Sequence, residues 1–336
     1  MKTDLDRILS QRLKHQESLT VYDFMTLALY HPQYGYYTNQ EVLGKQADYI
    51  TAPEITPVFG ELLAIRCVQF LQSLSFKPQT LALVELGPGR GTLMADMLRV
   101  FQKFSNLYRE VTLYLLEISP FFRRQQQEKL QGYSVVWVKD LDQIPSADAT
   151  LWIANEFFDA LPIQQEILIQ GEWQPRKISV INDQIDFIGP KDAPVRQTCP
   201  GYQKVITAIN QHLLMCPGLA IIIDYGEGLN AEQQGDTLQA LYRHRYADPL
   251  IRVGHQDLSH AVDFSALKRW VDPSLKQTLL TQTDFLLSLG LSERIQQMSQ
   301  KLSTQDALAL KMAARRLISV TEMGTLFKVL TLESGF

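Results

Sequence analysis

Apolar and polar positions fall into distinct blocks along the 336-residue chain. Leu5, Ile8, Leu9 and Leu13 recur at spacings of three and four, which predicts an opening helix, and Val21 to Leu29 predicts a second. His31-Pro32-Gln33-Tyr34-Gly35 then breaks the pattern. Residues 38–57 read as an ordered loop, and Thr56-Pro57 opens a helix that runs to about Leu74. The centre changes character. Short apolar runs at 81–86, 111–116, 135–138, 149–154 and 218–224 read as buried strands. Helical patterns at 92–104, 119–130 and 201–215 separate them. That alternation predicts an α/β fold, a parallel sheet with helices on both faces. Residues 164–188 interrupt it as an antiparallel insertion, and 225–262 read as a long polar loop of the kind that usually carries function. Helices return at 263–271 and 283–317, and Thr325–Leu332 closes as a strand.

Composition narrows the function classes. With 46% apolar and 20% charged residues, the chain has the makings of a sizeable core. The net charge of −4 gives no chain-wide basic field, so nucleic acid is the least expected partner. The sequence holds no apolar run of membrane-spanning length, so no membrane insertion is expected. The opening residues Met1 to Arg7 carry acids and read as neither a secretory signal nor a transit peptide. Cys67, Cys199 and Cys216 are an odd set without pairing or metal spacing. They read as reduced thiols of a cytoplasmic protein. The six histidines form no ligand motif, so no metal is expected, and Gly-x-Ser-x-Gly is absent.

The strongest local signal is Glu85-Leu86-Gly87-Pro88-Gly89-Arg90-Gly91, between a strand and a helix. Glycines let the backbone turn sharply and approach a ligand, and the helix start offers unpaired N–H groups. A P-loop would need lysine after the last glycine, where Thr92 stands. A dinucleotide fingerprint would need a small third residue, and Thr92 stands there too. Acid-x-Gly-x-Gly-x-Gly is instead the first motif of S-adenosylmethionine (SAM) methyltransferases. Glu117 ends the next strand, where an acid accepts hydrogen bonds from ribose hydroxyls, or else caps the helix at Ser119. Asp140, after the third strand, faces an adenine amino group in such an architecture; Asp140-Leu141-Asp142 is equally a turn. Asn155-Glu156-Phe157-Phe158-Asp159 follows the fourth strand, beyond whose carboxyl end ligands bind. Methyl transfer requires an aligned acceptor of shaped charge. A guanidinium acceptor stays protonated, so carboxylates must grip it. Glu156 is the first candidate, with Asn155 orienting; Phe157, Phe158 and Leu161 read as core, and Asp159 reads equally as a helix cap.

These segments resemble the MidA-type SAM-dependent methyltransferases of bacteria and mitochondria, over nearly the whole chain. The matching stretches include Phe24–Tyr37, Asp48–Glu54, Glu85–Met94, Glu117–Pro120, Ala154–Pro162, Asp224–Gly226, Gly235–Gln239, Val262–Phe264 and Met323–Leu330. The chain departs from the family pattern at Ala47, at His260 and at Asp284. The resemblance implies a class I, Rossmann-like methyltransferase core over 77–336, with insertions at about 164–200 and 225–262. A helical extension over 1–76 would cover the active site.

The resemblance also implies roles. SAM, leaving as S-adenosyl-L-homocysteine, would be held by Glu85, Gly87, Pro88, Gly89, Gly91, Glu117, Asp140, Leu141 and Asn155. Glu156, Asn155 and Glu54 would carry catalysis, and Thr51, Pro53, Glu54, Asp159, Asp224 and Tyr225 the acceptor. The mitochondrial relatives are regarded as protein arginine methyltransferases acting on a subunit of respiratory complex I. The expected function is therefore SAM-dependent methylation of arginine in a protein substrate. A SAM-binding assembly scaffold with little turnover, and a small-molecule methyltransferase, are the alternatives.

Overall fold

The computed structural model describes residues 3–15, 18–38, 51–182, 184–227 and 235–334. Ala47, Asp48, Tyr49 and Ile50 lie outside them, as does most of the loop expected at 38–57. The chain opens with α1 (Asp4–His15), α2 (Val21–Tyr30), α3 (Ala52–Ile55) and α4 (Pro57–Ser73). Strands β1 (Thr80–Leu86), β2 (Glu110–Leu116), β3 (Val135–Val138) and β4 (Ala149–Asn155) follow, with α5 (Thr92–Phe101) and α6 (Pro120–Lys129) between them. Then come α7 (Gly201–Met215), β5 (Gly218–Glu227), α8 (Phe264–Arg269) and β6 (Lys276–Thr281). The chain ends with α9 (Gln282–Ser288), α10 (Leu291–Ser299), α11 (Thr304–Ile318), α12 (Met323–Leu326) and β7 (Phe327–Glu333).

The main sheet has the order β6-β7-β5-β4-β1-β2-β3. Its strands are parallel except β7, which runs antiparallel to both β5 and β6. The strand order reverses between β1 and β4, the place where open α/β sheets bind ligands.

Side-chain alternation builds two buried faces from each central strand. Leu81, Leu83, Leu151, Ile153, Leu219, Ile221 and Ile223 pack with α4, α5, α9, α10 and α11. Val84, Leu86, Trp152, Ala154, Ala220 and Ile222 pack with α7 and α8. Strands covered on both faces carry near-continuous apolar runs, which is why they stand out in the sequence. β6 does not stand out. It lies at the sheet edge, where Lys276, Gln277 and Thr278 are exposed and need not be apolar. The 225–262 stretch, expected as loop, holds a small antiparallel sheet of Gln239–Tyr242, Arg245–Ala247 and Asp257–Ser259.

The insertion after β4 forms two antiparallel units. Gln164–Ile169 pairs with Glu172–Pro175 and with Val195–Thr198. The hairpin Lys177–Ile181/Gln184–Phe187 pairs with Leu19–Thr20. A third core joins α1 and α2 to these insertions, through Leu5, Leu9, Phe24 and Met25 against Ile163, Ile178, Leu250 and Val253. Asp6 accepts the Val253 N–H at 3.0 Å, and the Thr3 hydroxyl donates to the Val253 carbonyl at 2.8 Å.

Gly254 completes that junction. Its φ of +78° suits glycine, and a Cβ there would lie 2.1 Å from the Tyr34 carbonyl oxygen. Gly254→Ala is expected to destabilise the fold by about 2–4 kcal/mol through left-handed strain and overpacking. A denaturant titration with wild-type midpoint would refute that reading of the junction.

Candidate active site

The turn after β1 is built from alternating left-handed residues. Gly87, Gly89 and Gly91 have φ values of 65°, 53° and 73°. Only glycine adopts these without strain, which accounts for the Gly-x-Gly-x-Gly pattern itself. The Gly91 N–H donates to the Pro88 carbonyl at 2.8 Å, closing the turn. Gly91 also caps α5, and among the described residues no side chain caps the first N–H groups of that helix. They are available to an anionic group such as a carboxylate. A Cβ at Gly89 would meet nothing within 4 Å, whereas one at Gly87 would lie 3.1 Å from the Phe157 ring. The glycine turn therefore leaves open space on one side and touches the Asn155–Pro162 segment on the other.

Two buried carboxylates stand behind this turn. Glu85 is 2% exposed, and its Oε2 has no hydrogen-bond partner among the described residues. Burial, and then the nearby Glu117 charge, push it up to about 8. Glu117 Oε1 accepts the Ser119 N–H at 2.7 Å, and Oε2 accepts from Gln126 at 3.1 Å. Burial pushes Glu117 up to about 7, against those two hydrogen bonds. Asn155 Oδ1 is a further buried, unpartnered oxygen. Such orphaned acceptors are costly in an empty protein, and they fit a ligand that brings cationic groups and hydroxyl donors. Asp140 is engaged otherwise. It caps the turn at Leu141–Gln143 and pairs with Lys204 at 3.1 Å, which lowers its pKa. The buried Leu141 gives its N–H to that Asp140 carboxylate at 2.8 Å.

A second cluster, around the residues expected to meet the acceptor, lies at the ends of β4 and β5. Glu156 adopts a left-handed φ of 51°, uncommon for a residue with a side chain. Its N–H donates to the Ile223 carbonyl at 2.9 Å, which holds the turn. Its Oε1 accepts from the Ala52 N–H at 3.3 Å and from Asn155 Nδ2 at 3.2 Å. Burial outweighs these bonds and pushes its pKa up to about 7. Asp224 is fully buried; Oδ2 accepts the N–H groups of Phe158 and Asp159, and Oδ1 that of Tyr225. Asp159 is 9% exposed. Burial, followed by the charges of Asp224, Asp257 and Glu156, holds its carboxyl well above the usual range.

Asp257, Tyr30 and Tyr37 join this cluster without having been marked by the sequence. The Tyr37 hydroxyl donates to Asp257 at 3.0 Å, and the Tyr30 hydroxyl to the Ala160 carbonyl at 2.9 Å. Their rings lie 5.8 Å apart. Pairing across 220 positions leaves no local signal, so only the polar character of 225–262 hinted at Asp257. Thr51 and the buried Pro53 sit on either side of Ala52, whose N–H contacts Glu156, whereas the Glu54 side chain is exposed. Tyr225 ties β5 to the small sheet, donating to Ser259 at 2.9 Å and accepting from Gln239 at 2.6 Å. His260, one of the departures, is buried, and its backbone N–H donates to the Asp159 carbonyl. Among the described residues no group of three or more His, Cys, Asp or Glu could hold a metal ion.

Comparison with known proteins agrees with this architecture. Residues 62–281 match the family model described as "Putative S-adenosyl-L-methionine-dependent methyltransferase". The chain belongs to that family. It is a methyltransferase that uses SAM, and the motif-based resemblance is borne out. The protein arginine methyltransferase NDUFAF7, mitochondrial, of Xenopus tropicalis is 31% identical, over 87% of this chain and 76% of its own length. The Drosophila melanogaster homologue is 28% identical, over 94% and 82%. A solved Burkholderia thailandensis protein bound to S-adenosyl-homocysteine shares the fold, with a TM-score of 0.79 and 24% identity over 98% of this chain and 91% of that one.

Two outcomes test the site. Gly89→Val places a branched side chain in the open space of the glycine turn and is expected to abolish SAM binding; undiminished affinity by calorimetry would refute the placement. Glu156 tests the electrostatics. Its pKa is about 7 folded, against the ordinary 4.5. Between those values the folded state holds a proton that the unfolded state has lost, so stability falls as pH rises and stays lowered above the window. Glu156→Gln removes that cost. It is expected to stabilise the ligand-free protein by on the order of 2–3 kcal/mol near pH 8, and by less than about 1 kcal/mol near pH 5. Urea midpoints at the two pH values would show it, and equal gains would count against the buried-charge reading.

Proposed function

We propose that the protein transfers the SAM methyl group to an arginine side chain of a protein substrate. The observation that carries this reading is the carboxylate cluster of Asp159, Asp224 and Asp257, which are buried, and Glu156, which is half-buried, set against the glycine turn through Phe157. Buried like charges are unfavourable alone and favourable around a cation. A guanidinium brings one positive charge and a planar fork of N–H donors suited to carboxylates. The relatives named as protein arginine methyltransferases support the same acceptor.

SAM, when bound, supplies a methyl group already activated by its sulfonium. The protein's part is to position and to manage charge. The Ala52 and Asn155 donors fix Glu156 Oε1, which leaves Oε2 for an acceptor N–H. Carboxylates on one side of a guanidinium draw its charge toward them and leave the opposite nitrogen better able to attack. Glu156, with its pKa raised toward neutrality, is the group suited to hold the proton that the methylated nitrogen gives up. The glycine turn and Glu117 hold the methionine and ribose ends. Asn155, at the junction of the halves, orients Glu156.

Two finer readings accompany this one. By its resemblance to the mitochondrial relatives, the acceptor is a respiratory complex subunit. The three free thiols, Cys67, Cys199 and Cys216, favour the cytoplasm as its location.

The test uses lysate of a strain lacking the chain, labelled SAM and the purified protein. Label is expected in one protein, on an arginine. Glu156→Gln is expected to lower transfer by about 100-fold or more, with SAM affinity near wild type, as for loss of one transition-state contact. Label on another side chain would overturn the arginine reading. SAM binding with no transfer to any protein or small molecule would favour a scaffold.

A further inference from the structure

Gln126 and Trp137 take no part in the roles assigned so far, yet they lie between the two cofactor-holding elements. Gln126, on α6, is fully buried. Its Oε1 accepts the Trp137 indole N–H at 2.8 Å. An indole nitrogen only donates, so this bond fixes which end of the amide is oxygen. Nε2 is thereby turned toward two acceptors, the Gly89 carbonyl at 2.7 Å and Glu117 Oε2 at 3.1 Å. Its two protons are both used. The aliphatic stem has a further effect, since a Cβ at Gly91 would lie 3.2 Å from Gln126 Cγ. One side chain thus contacts the glycine turn twice and the Glu117 carboxylate once. The other oxygen of Glu117 is held by the Ser119 N–H at the start of the same helix.

We infer that Gln126, oriented by Trp137, is a positioning residue for the cofactor: it sets the rotation of the Glu117 carboxylate and locks it to the glycine turn. The two ends of the cofactor site then behave as one rigid piece. A buried carboxylate with a free rotor would lose ordering entropy on binding, and this one has little left to lose. The inference rests on the SAM site and is independent of the arginine acceptor.

The experiment measures binding, not turnover. Calorimetry compares S-adenosylhomocysteine with an analogue lacking both ribose hydroxyls, and thermal melts check folding. Wild type is expected to prefer the hydroxyl-bearing ligand by at least about tenfold, as for bonds to a charged acceptor. Gln126→Leu is expected to reduce that preference about tenfold, and Trp137→Phe to reduce it in the same direction by about threefold. Gln126→Glu sets carboxylate against carboxylate and is expected to bind more weakly still. Adding Glu117→Gln exchanges donor and acceptor and is expected to restore part of the loss. A merely structural role would weaken both ligands in equal proportion. An unchanged preference in folded Gln126→Leu overturns the assignment. Should that variant fail to fold, absence of rescue in the Gln126→Glu, Glu117→Gln pair overturns it instead. A wild-type protein that binds neither ligand would sink the cofactor site and not this relay alone.

Discussion

The Asp224 carboxylate sits out of reach of solvent and accepts three backbone N–H groups, from Phe158, Asp159 and Tyr225. It lashes the end of β5 to the turn that follows β4. The rest of the carboxylate cluster hangs from that turn. The Asp159 carbonyl receives the His260 N–H, and the Ala160 carbonyl receives the Tyr30 hydroxyl. A backbone-bound carboxylate is a rigid joint, because its donors are fixed by the fold and have no rotamers to lose. It also spends nearly all its bonding capacity on structure. Asp224 therefore serves as a structural joint, whereas the bonds of Glu156 from Ala52 and Asn155 fall on its Oε1.

The site concentrates negative charge in both halves. Glu85 and Glu117 lie behind the glycine turn; Glu156, Asp159, Asp224 and Asp257 cluster at the ends of β4 and β5. Burial raises the pKa of Glu85, Glu117, Glu156, Asp159 and Asp224. The ligand-free protein carries this as lost stability. The arrangement suits a cationic ligand such as the sulfonium of SAM, which relieves part of the repulsion. Product formation removes the sulfonium charge, so the same field that favours entry of SAM weakens the hold on what leaves.

Much of this was legible in the chain because the physics was local. Gly87, Gly89 and Gly91 must be left-handed, and strands covered on both faces must be apolar, so both leave short, dense signatures. The position of Asn155 and Glu156 at a strand end was also legible. Residues whose role depends on distant partners were not. Asp257 meets a tyrosine hydroxyl 220 positions away, and nothing beside it in the chain signals that contact. Strand β6 escaped because an edge needs no apolar run. Gln126 is the middle of three glutamines, and only the four-residue spacing of Phe122, Gln126 and Leu130 marks it as the inward one. Asp140 shows the converse, a turn legible as such that the fold uses as a cap.

The third core has a consequence for how the molecule is made. Gln126 and Gly89 are 37 positions apart, so the cofactor half can close soon after α6 leaves the ribosome. α1 must wait for Val253, which is 250 positions from Thr3. Until then Leu5, Leu9 and Leu13 lack the part of their cover that Leu250, Val253 and Leu258 supply in the folded chain. A nascent chain thus closes the glycine turn against α6 well before α1 is sealed, and the partly covered stripe of α1 is the surface that a nascent-chain chaperone would meet in the interval.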